Sequence, residues 1–423
     1  MDRFIGIVGI VVFLAIAFLM SNNRKQINYK TVTVGFLLQI ALAVFILKVP
    51  LGIKIFEFIG NLVNKILESA MAGANFVFGF LTASPDKLTE LFGSNSFIFT
   101  LQLIPTLIFM MVLVNILYYY GIMQKIIMLL GKAMNKIMDV SGAEALSNAA
   151  STFLGNVAAQ SVIKPYLPNL TRSELLASMT GSTACISGSV LMLYAGWGVP
   201  MQYLLAASVM AAPGAFVVSK IVFPETGEPQ TKDNFKIRKR RTDVNVLDAI
   251  SKGASEGLKV ALNVVAMLLA LVALLSFIDL FIGKAGVLLH NWTHLDLSFV
   301  GLDITHLSLK AILGKVFSIF ALLMGVSPAD ISNVGTLIGE KFVINETLGY
   351  MDMVKMTLTP KSQAIATFAL CGFANIATIA IQIGGIGELA PNQRKNLARL
   401  GVRALICGTL TSYISACIAG ILV

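Results

Sequence analysis

The sequence predicts an all-α polytopic membrane protein, and three observations carry that prediction. Of its 423 residues, 56% are hydrophobic and only 13% are charged, whereas soluble domains are about 45–50% apolar and about 25% charged. Eight stretches are long and apolar enough to cross the hydrocarbon core of a bilayer. Basic residues are concentrated in alternate loops between these stretches. The same composition excludes a soluble, a disordered and a disulfide-rich protein.

The predicted transmembrane helices follow from a scan for about 20 consecutive, mainly apolar residues. They comprise residues 4–20, 32–49, 97–120, 175–193, 203–223, 258–282, 365–386 and 402–423. Clusters of Lys and Arg follow the first, third, fifth and seventh helices, and cytoplasmic loops are enriched in such residues. One orientation therefore satisfies every loop, with both termini outside the cell membrane. Because this topology explains the net charge of +10, no nucleic-acid partner is expected.

Three further segments are apolar without forming a clean span. Residues 51–72 carry polar side chains, from Lys54 to Glu68, along one face, which predicts a helix lying in the membrane interface. Segments 142–170 and 309–358 are each interrupted midway by Gly, Asn, Ser or Pro. Such segments are typical of re-entrant helical hairpins, which are tolerated at membrane depth only where they line a protein or water-filled cavity.

Each predicted hairpin precedes a helix that small and polar residues interrupt, at 180–189 in the fourth helix and at 371–378 in the seventh. Because three helix crossings separate the two copies, the second copy has inverted topology. Inverted repeats with paired discontinuous helices are typical of secondary transporters that bind their substrate near the membrane midplane. A single Gly/Ser cluster would indicate close helix packing instead, but two clusters in corresponding places favour transport.

Ionisable groups are rare inside the apolar segments, so each one is a candidate functional residue. Glu346 lies in the second hairpin, and Asn375 and Thr378 share one face of the broken seventh helix. A carboxylate, an amide and a hydroxyl together suit a polyol such as a sugar. The alternatives are a water-exposed Glu at a hairpin mouth and an Asn in an interhelical hydrogen bond.

Motifs for catalysis or metal binding are absent from the sequence. It contains no Walker A, GxSxG or HExxH pattern, and its four cysteines and three histidines have no convincing metal-ligand spacing. An enzyme, an ATP-driven pump, a cofactor and a metal site are therefore not expected.

Several runs of residues make the chain similar to a known family. The runs are 369–375 (Ala-Leu-Cys-Gly-Phe-Ala-Asn), 343–346 (Val-Ile-Asn-Glu), 75–79, 163–166, 211–214 and 224–226. With them the sequence resembles, essentially end to end, the concentrative nucleoside transporter family in its bacterial eight-helix form. The resemblance implies a homotrimer with an elevator mechanism. It also implies a scaffold of residues 1–120 and 251–300, and a transport part of residues 121–250 and 301–423.

The resemblance further implies a substrate site. Glu346, Asn375 and Thr378 match residues that bind ribose, and Asn345 and Phe373 belong to the same runs. The first-hairpin tip, which contacts the base, usually reads Gly-Gln-Thr-Glu-Ala-Pro. The corresponding base contacts here are Gly155, Asn156, Val157 and Ala158, with Val190 in the fourth helix. The sugar half of the site is therefore expected to be intact and the base half to be rebuilt.

The resemblance places the coupling ion beside the first-hairpin tip. The family's sodium site uses an Asn and a Ser side chain together with backbone carbonyls. The corresponding residues here are Ser151 and Cys185 for the side chains, and Leu154 and Ile186 for the carbonyls. A thiol is a poor ligand for a hard cation, so this set favours protons over sodium.

Together these observations predict a secondary active symporter that imports nucleosides or related ribosides, driven by a proton or sodium gradient. Two alternatives remain open at this point. One is a transporter of the same fold for a different polar solute, because the first-hairpin tip has lost base contacts. The other is a non-transporting receptor or scaffold that kept the fold.

Overall fold

The computed structural model describes residues 2–82, 98–232, 243–293 and 303–423, and the regular secondary structure of these ranges is helical. The α-helices are α1 (Asp2–Leu19), α2 (Tyr29–Leu47), α3 (Pro50–Phe78), α4 (Phe99–Tyr119), α5 (Ile122–Met138), α6 (Gly142–Leu154), α7 (Asn156–Ser161), α8 (Arg172–Ala184), α9 (Gly188–Gly196), α10 (Met201–Val222), α11 (Val246–Thr293), α12 (Leu309–Leu323), α13 (Ile331–Val343), α14 (Glu346–Met353), α15 (Pro360–Leu370), α16 (Ile376–Leu389) and α17 (Arg394–Leu422). Residue 97, the first of the predicted third span, lies outside the described residues.

Several of these helices are built to cross a membrane. Five segments of the described chain are long and apolar enough: α2, Arg172–Gly196, α10, α11 and Pro391–Leu422. Helices α4 and α5 pass the same test together, but the chain bends by 76° between them. The apolar segments Phe4–Leu19 and Ile376–Leu389 are shorter. The prediction of an all-helical, multi-pass membrane protein is confirmed, whereas the number of eight crossings stays a prediction.

The amphipathic segment predicted at 51–72 forms one continuous helix, α3, which extends to Phe78. Pro50 occupies its first turn, where a missing backbone N–H leaves no hydrogen bond unmade. Helix α3 packs against α4. Its location in the membrane interface stays a prediction.

Helices α6 and α7 form the first predicted hairpin. Ser141 starts α6 with a capping box: its hydroxyl accepts the backbone N–H of Glu144, and the Glu144 carboxylate accepts the backbone N–H of Ser141. The helix ends at Gly155, whose φ of 64° lies in the left-handed region. A Cβ at this position would lie 2.6 Å from the ring of Phe373. Both the backbone conformation and the close approach therefore require glycine at the tip.

The second hairpin is shorter than predicted. Within the predicted segment 309–358, α12 is a separate helix, and the hairpin consists of α13 and α14 with its break at Ile344 and Asn345. The predicted boundary was wrong because α12 is as apolar as a hairpin arm. The turn after it contains Gly325 and Pro328, residue types that also interrupt a hairpin. Helix α12 packs along α13.

The fourth and seventh predicted helices are both broken, as the sequence indicated. Helices α8 and α9 are separated by residues 185–187, and α15 and α16 by residues 371–375. Each first half begins after a threonine, Thr171 or Thr359, whose hydroxyl accepts a backbone N–H of the first turn.

The two breaks meet inside the protein. The backbone N–H of Phe373 donates to the carbonyl oxygen of Cys185 at 3.4 Å. A Cβ on Gly372, whose φ is 131°, would lie 2.7 Å from the carbonyl oxygen of Ala184, so the crossing requires glycine. The order of helix, hairpin, broken helix and long helix thus occurs twice, in α5–α10 and in α12–α17. This doubling brings two hairpin tips and two helix breaks to one place.

Candidate functional site

A cavity of about 260 Å³ lies where the hairpin tips and the helix breaks meet. Its walls come from the first-hairpin tip, α9, α11, the second-hairpin tip and the start of α16. The predicted substrate-binding residues that line it are Gly155, Asn156, Ala158, Val190, Asn345, Glu346, Phe373, Asn375 and Thr378. The structure therefore gathers residues that are more than 200 positions apart in the sequence.

The Glu346 carboxylate is the charged group of this cavity, and the residue is 4% exposed. It begins α14, where the helix N-terminus favours a negative charge. Its Oε1 accepts the hydroxyl of Tyr194 at 3.2 Å, and its Oε2 accepts the side-chain amide of Asn375 at 3.3 Å. A carboxylate has about four acceptor positions. Two neutral donors therefore leave Glu346 able to accept hydroxyl groups of a ligand.

Asn375 and Thr378 are fixed by the start of α16. The side-chain oxygen of Asn375 caps this helix by accepting the backbone N–H of Thr378 at 3.0 Å. The Thr378 hydroxyl lies 2.6 Å from the carbonyl oxygen of Phe373 and 3.0 Å from the side-chain oxygen of Asn375. Its proton is thus used within the protein, and its oxygen remains an acceptor. Both side chains are oriented before any ligand arrives.

Asn345 supplies a donor beside the carboxylate. Its side-chain oxygen caps α14 by accepting the backbone N–H of Leu348 at 3.0 Å. Its side-chain nitrogen is buried and has no hydrogen-bond partner within the described ranges. This nitrogen is therefore a hydrogen-bond donor that the described residues leave unused.

The first-hairpin tip contributes small and weakly polar groups. Gly155, Asn156 and Ala158 line the cavity. The side-chain oxygen of Asn156 is buried and finds no partner among the described residues. The methyl groups of Val157 pack against Gly385 of α16, and Val157 is not among the residues that line the cavity, so its predicted base contact stays a prediction.

The remaining wall is mainly apolar. It includes the ring of Phe373 and Val190 with its neighbour Leu193 on α9. Helix α11 adds Val260, Val264 and Met267, which the sequence did not mark, because α11 is apolar over most of its length. The cavity therefore combines one polar, charged cluster with apolar surface, which suits a ligand that has a hydroxyl-bearing part and a flat apolar part.

Two buried polar residues near the cluster were missed in the sequence. Tyr194 bonds to Glu346, lies 3.0 Å from the hydroxyl of Thr347, and stacks on Tyr350 with ring centroids 4.3 Å apart. Lys341 donates to the carbonyl oxygen of Ala369 at 2.8 Å. A tyrosine on an apolar helix carries no motif, and Lys341 lies outside the runs of residues that mark the family.

The residues predicted for the coupling ion are only partly exposed to the cavity. They are Ser151, Leu154, Cys185 and Ile186, of which only Leu154 lines it. The Ser151 hydroxyl donates to the carbonyl oxygen of Ser147 at 2.9 Å. The Cys185 thiol lies 3.9 Å from the carbonyl oxygen of Ser208. The backbone carbonyl of Cys185 accepts the backbone N–H of Phe373. Ser151 and Cys185 thus have protein partners of their own.

Comparison with known proteins gives a consistent result. Three family models match the chain: Na+ dependent nucleoside transporter N-terminus over residues 8–81, Nucleoside recognition over residues 100–201, and Na+ dependent nucleoside transporter C-terminus over residues 203–420. An uncharacterized transporter from Haemophilus influenzae is 41% identical, over 99% of this chain and 97% of that protein. The nucleoside permease NupC from Helicobacter pylori is 37% identical, over 99% and 97%.

The fold is similar to that of CNTnw. Its structure in an inward-facing, substrate-bound state matches with a TM-score of 0.91 and 38% identity, covering 100% of this chain and 98% of that chain. Structures of CNTnw in outward-facing and intermediate states match equally well, with TM-scores of 0.91 and 0.92.

Proposed function

Because this chain belongs to the concentrative nucleoside transporter family, we propose that it is a secondary active symporter that imports nucleosides or closely related ribosides. The observation that carries the proposal is the Glu346 carboxylate. It is buried, held by neutral donors from two different elements, and still able to accept hydroxyl groups. The chain is a transporter and not an enzyme, in keeping with relatives that are nucleoside transporters and permeases.

The polar cluster suits a ribose. Adjacent sugar hydroxyls can donate to the two oxygens of Glu346, and hydrogen bonds to a charged acceptor are roughly twice as strong as neutral ones. The Asn345 nitrogen, which lacks a partner within the described part of the chain, can donate to a sugar oxygen. The Thr378 oxygen can accept a further hydroxyl. Each of these groups is held by its own helix start, so little side-chain entropy is lost on binding.

The apolar surface suits a nucleobase. The Phe373 ring and Val190 offer contact to a flat ring without reading its edge. Of the tip residues that line the cavity, Gly155, Asn156 and Ala158, Asn156 has a polar side chain. We therefore propose a site that tolerates different bases and is selective for the sugar.

The proposed architecture has eight membrane crossings, both termini outside and three copies per assembly. In the proposed division, α11 lies in the scaffold, and the other walls of the cavity lie in the transport part. The cavity is lined by both parts, so an elevator-like displacement of the transport part would separate the polar cluster from Val260, Val264 and Met267. Such a displacement would open the cavity to one side of the membrane.

For the coupling ion we propose protons. The thiol of Cys185 replaces an oxygen ligand and is engaged with Ser208, and soft sulfur binds Na+ poorly. Restoring Asn at position 151 and Ser at position 185 is expected to recover sodium dependence only partly, because the tip is altered as well.

Uptake into proteoliposomes tests the proposal. We expect uptake of labelled uridine or adenosine that rises as the outside pH falls, and that is unchanged when choline replaces sodium at constant pH. A steep sodium requirement at constant pH would assign sodium instead. Uptake of another polar solute, but not of nucleosides, would favour a transporter of the same fold with a different substrate. If the folded protein transports no riboside, the proposal that it is a nucleoside transporter is overturned.

A further inference from the structure

Lys341 is a charged residue buried in the second hairpin. It is 2% exposed and lies on α13, two residues before the helix ends. Its ammonium donates to the carbonyl oxygen of Ala369 at 2.8 Å. Lysine is almost never fully buried unless its charge is compensated, because moving an uncompensated ion out of water is strongly unfavourable. Its burial here therefore needs a reason.

The ammonium sits at the end of a half-helix. Ala369 is the penultimate residue of α15, which stops at Leu370 where the seventh span breaks. The last four carbonyls of a helix lack partners inside that helix and carry partial negative charge. A positive charge at this end satisfies one such carbonyl and offsets the helix dipole. Lys341 thus joins the second hairpin to the first half of the broken helix.

Lys341 is equivalent, by its position in the second repeat, to Ser151 of the proposed ion site in the first. Ser151 lies four residues before Gly155, which caps the second arm of the first hairpin. Lys341 lies four residues before Asn345, which caps the second arm of the second hairpin. Its acceptor, Ala369, precedes the break residue Cys371 by two positions. By this count Lys341 is the residue of the second repeat that is equivalent to Ser151, and Cys371 is the one equivalent to Cys185.

The Lys341 charge also bears on the substrate site. Lys341 and Glu346 lie on either side of the hairpin break at Ile344 and Asn345, five residues apart. The described hydrogen-bond partners of Glu346 are neutral: Tyr194 and Asn375. Releasing the end of α13 from α15 would therefore shift the carboxylate relative to the donors that hold it.

We infer that Lys341 is a built-in cation of the second repeat, which locks the hairpin to the end of α15 and so keeps Glu346 positioned for substrate. Lys341 is a positioning residue, since it acts through Glu346 and the helix end. The inference rests on the proposed function only for its nucleoside read-out.

Chemical rescue tests this inference. Lys341→Ala removes the ammonium and leaves space for a propylammonium ion. We expect the variant to melt at a lower temperature than the wild type without nucleoside, and to bind uridine and adenosine at least about 10-fold more weakly. Propylammonium should restore both properties in a saturable way. Tetramethylammonium, which has no N–H to donate, should restore neither.

Two further variants sharpen the result. Lys341→Met keeps the aliphatic stem without the charge, and we expect it to bind nucleoside at least about 10-fold more weakly than the wild type. It therefore tests the inference even if Lys341→Ala does not fold. Lys164→Ala, at an exposed lysine beyond the first hairpin, should match the wild type with and without the amine. Wild-type affinity in Lys341→Met, or folded Lys341→Ala that propylammonium does not rescue, would overturn the inference. If the wild type binds neither nucleoside, the proposed function fails, while the melting temperatures still test the built-in cation.

Discussion

The tips of the two hairpins face the same cavity but differ in how their polar groups are held. At the second tip, Glu346 is bonded from two other elements and Asn345 caps its own helix. At the first tip, Gly155 and Ala158 are small, and the Asn156 oxygen has no partner within the described ranges. Fixed polar groups discriminate sharply because a mismatched ligand leaves them unsatisfied. We therefore propose that substrate selectivity comes mainly from the second tip.

The largest expected effect comes from the charge at the second tip. Glu346→Gln keeps the side-chain volume but removes the charge and turns one acceptor into a donor. We expect nucleoside affinity to fall by on the order of 1.5–3 kcal/mol, or about 10- to 150-fold. Isothermal titration of the purified transporter measures this. The matched control is Glu388→Gln at an exposed carboxylate of α16, which should bind as the wild type does. Normal affinity in Glu346→Gln would show that the charge is not the anchor.

A smaller effect is expected from the residue that positions this charge. Tyr194→Phe keeps the ring stacked on Tyr350 and removes the hydroxyl that donates to Glu346. The carboxylate keeps its charge and its bond to Asn375, so affinity should fall by only about 0.5–1.5 kcal/mol, or roughly 2- to 13-fold. The control is Tyr350→Phe, which removes a bond to the carbonyl oxygen of Thr367 and none to Glu346. Equal losses of affinity in both variants would mean that packing, and not positioning, is affected.

The smallest effect is expected at the first tip. Asn156→Ala removes a polar side chain that other protein groups do not hold, so affinity for a given nucleoside should change by less than about threefold. Ala158→Glu adds a charged acceptor to the same tip and should widen the range of affinities among nucleosides with different bases. Competition assays with a panel of bases measure both variants. A loss in Asn156→Ala as large as that in Glu346→Gln would erase the difference between the tips.

Much of the fold could be predicted from the sequence, because helix breaks and hairpins depend on the residues at the break itself. The interruptions at 180–189 and 371–378 contain the breaks that the structure describes, since small and polar residues there favour turns and caps over a continuous helix. The boundary of the second hairpin was missed, because α12 and a hairpin arm have the same apolar pattern. The correspondence of α12–α14 with α5–α7 distinguishes them, and no local pattern encodes it.

The site was predictable only where polarity marked it. Glu346, Asn375 and Thr378 stand out in apolar segments, and the structure brings them within hydrogen-bonding reach of one another. Tyr194 was missed because its role depends on contact across about 150 residues of sequence. The direction of Val157 depends on where α7 meets α16, which the tip sequence alone does not specify.

The central claim is that the second tip makes the transporter selective for the sugar, whereas the first tip discriminates little between bases. Competition against labelled nucleoside uptake tests it most directly, with one series of inhibitors that lack single ribose hydroxyls and another that carries different bases on an intact ribose. We expect the sugar series to span at least about 10-fold in inhibition constant, and the base series to span less than the sugar series. A transporter that ignores the loss of ribose hydroxyls, yet discriminates sharply between bases, would contradict the account.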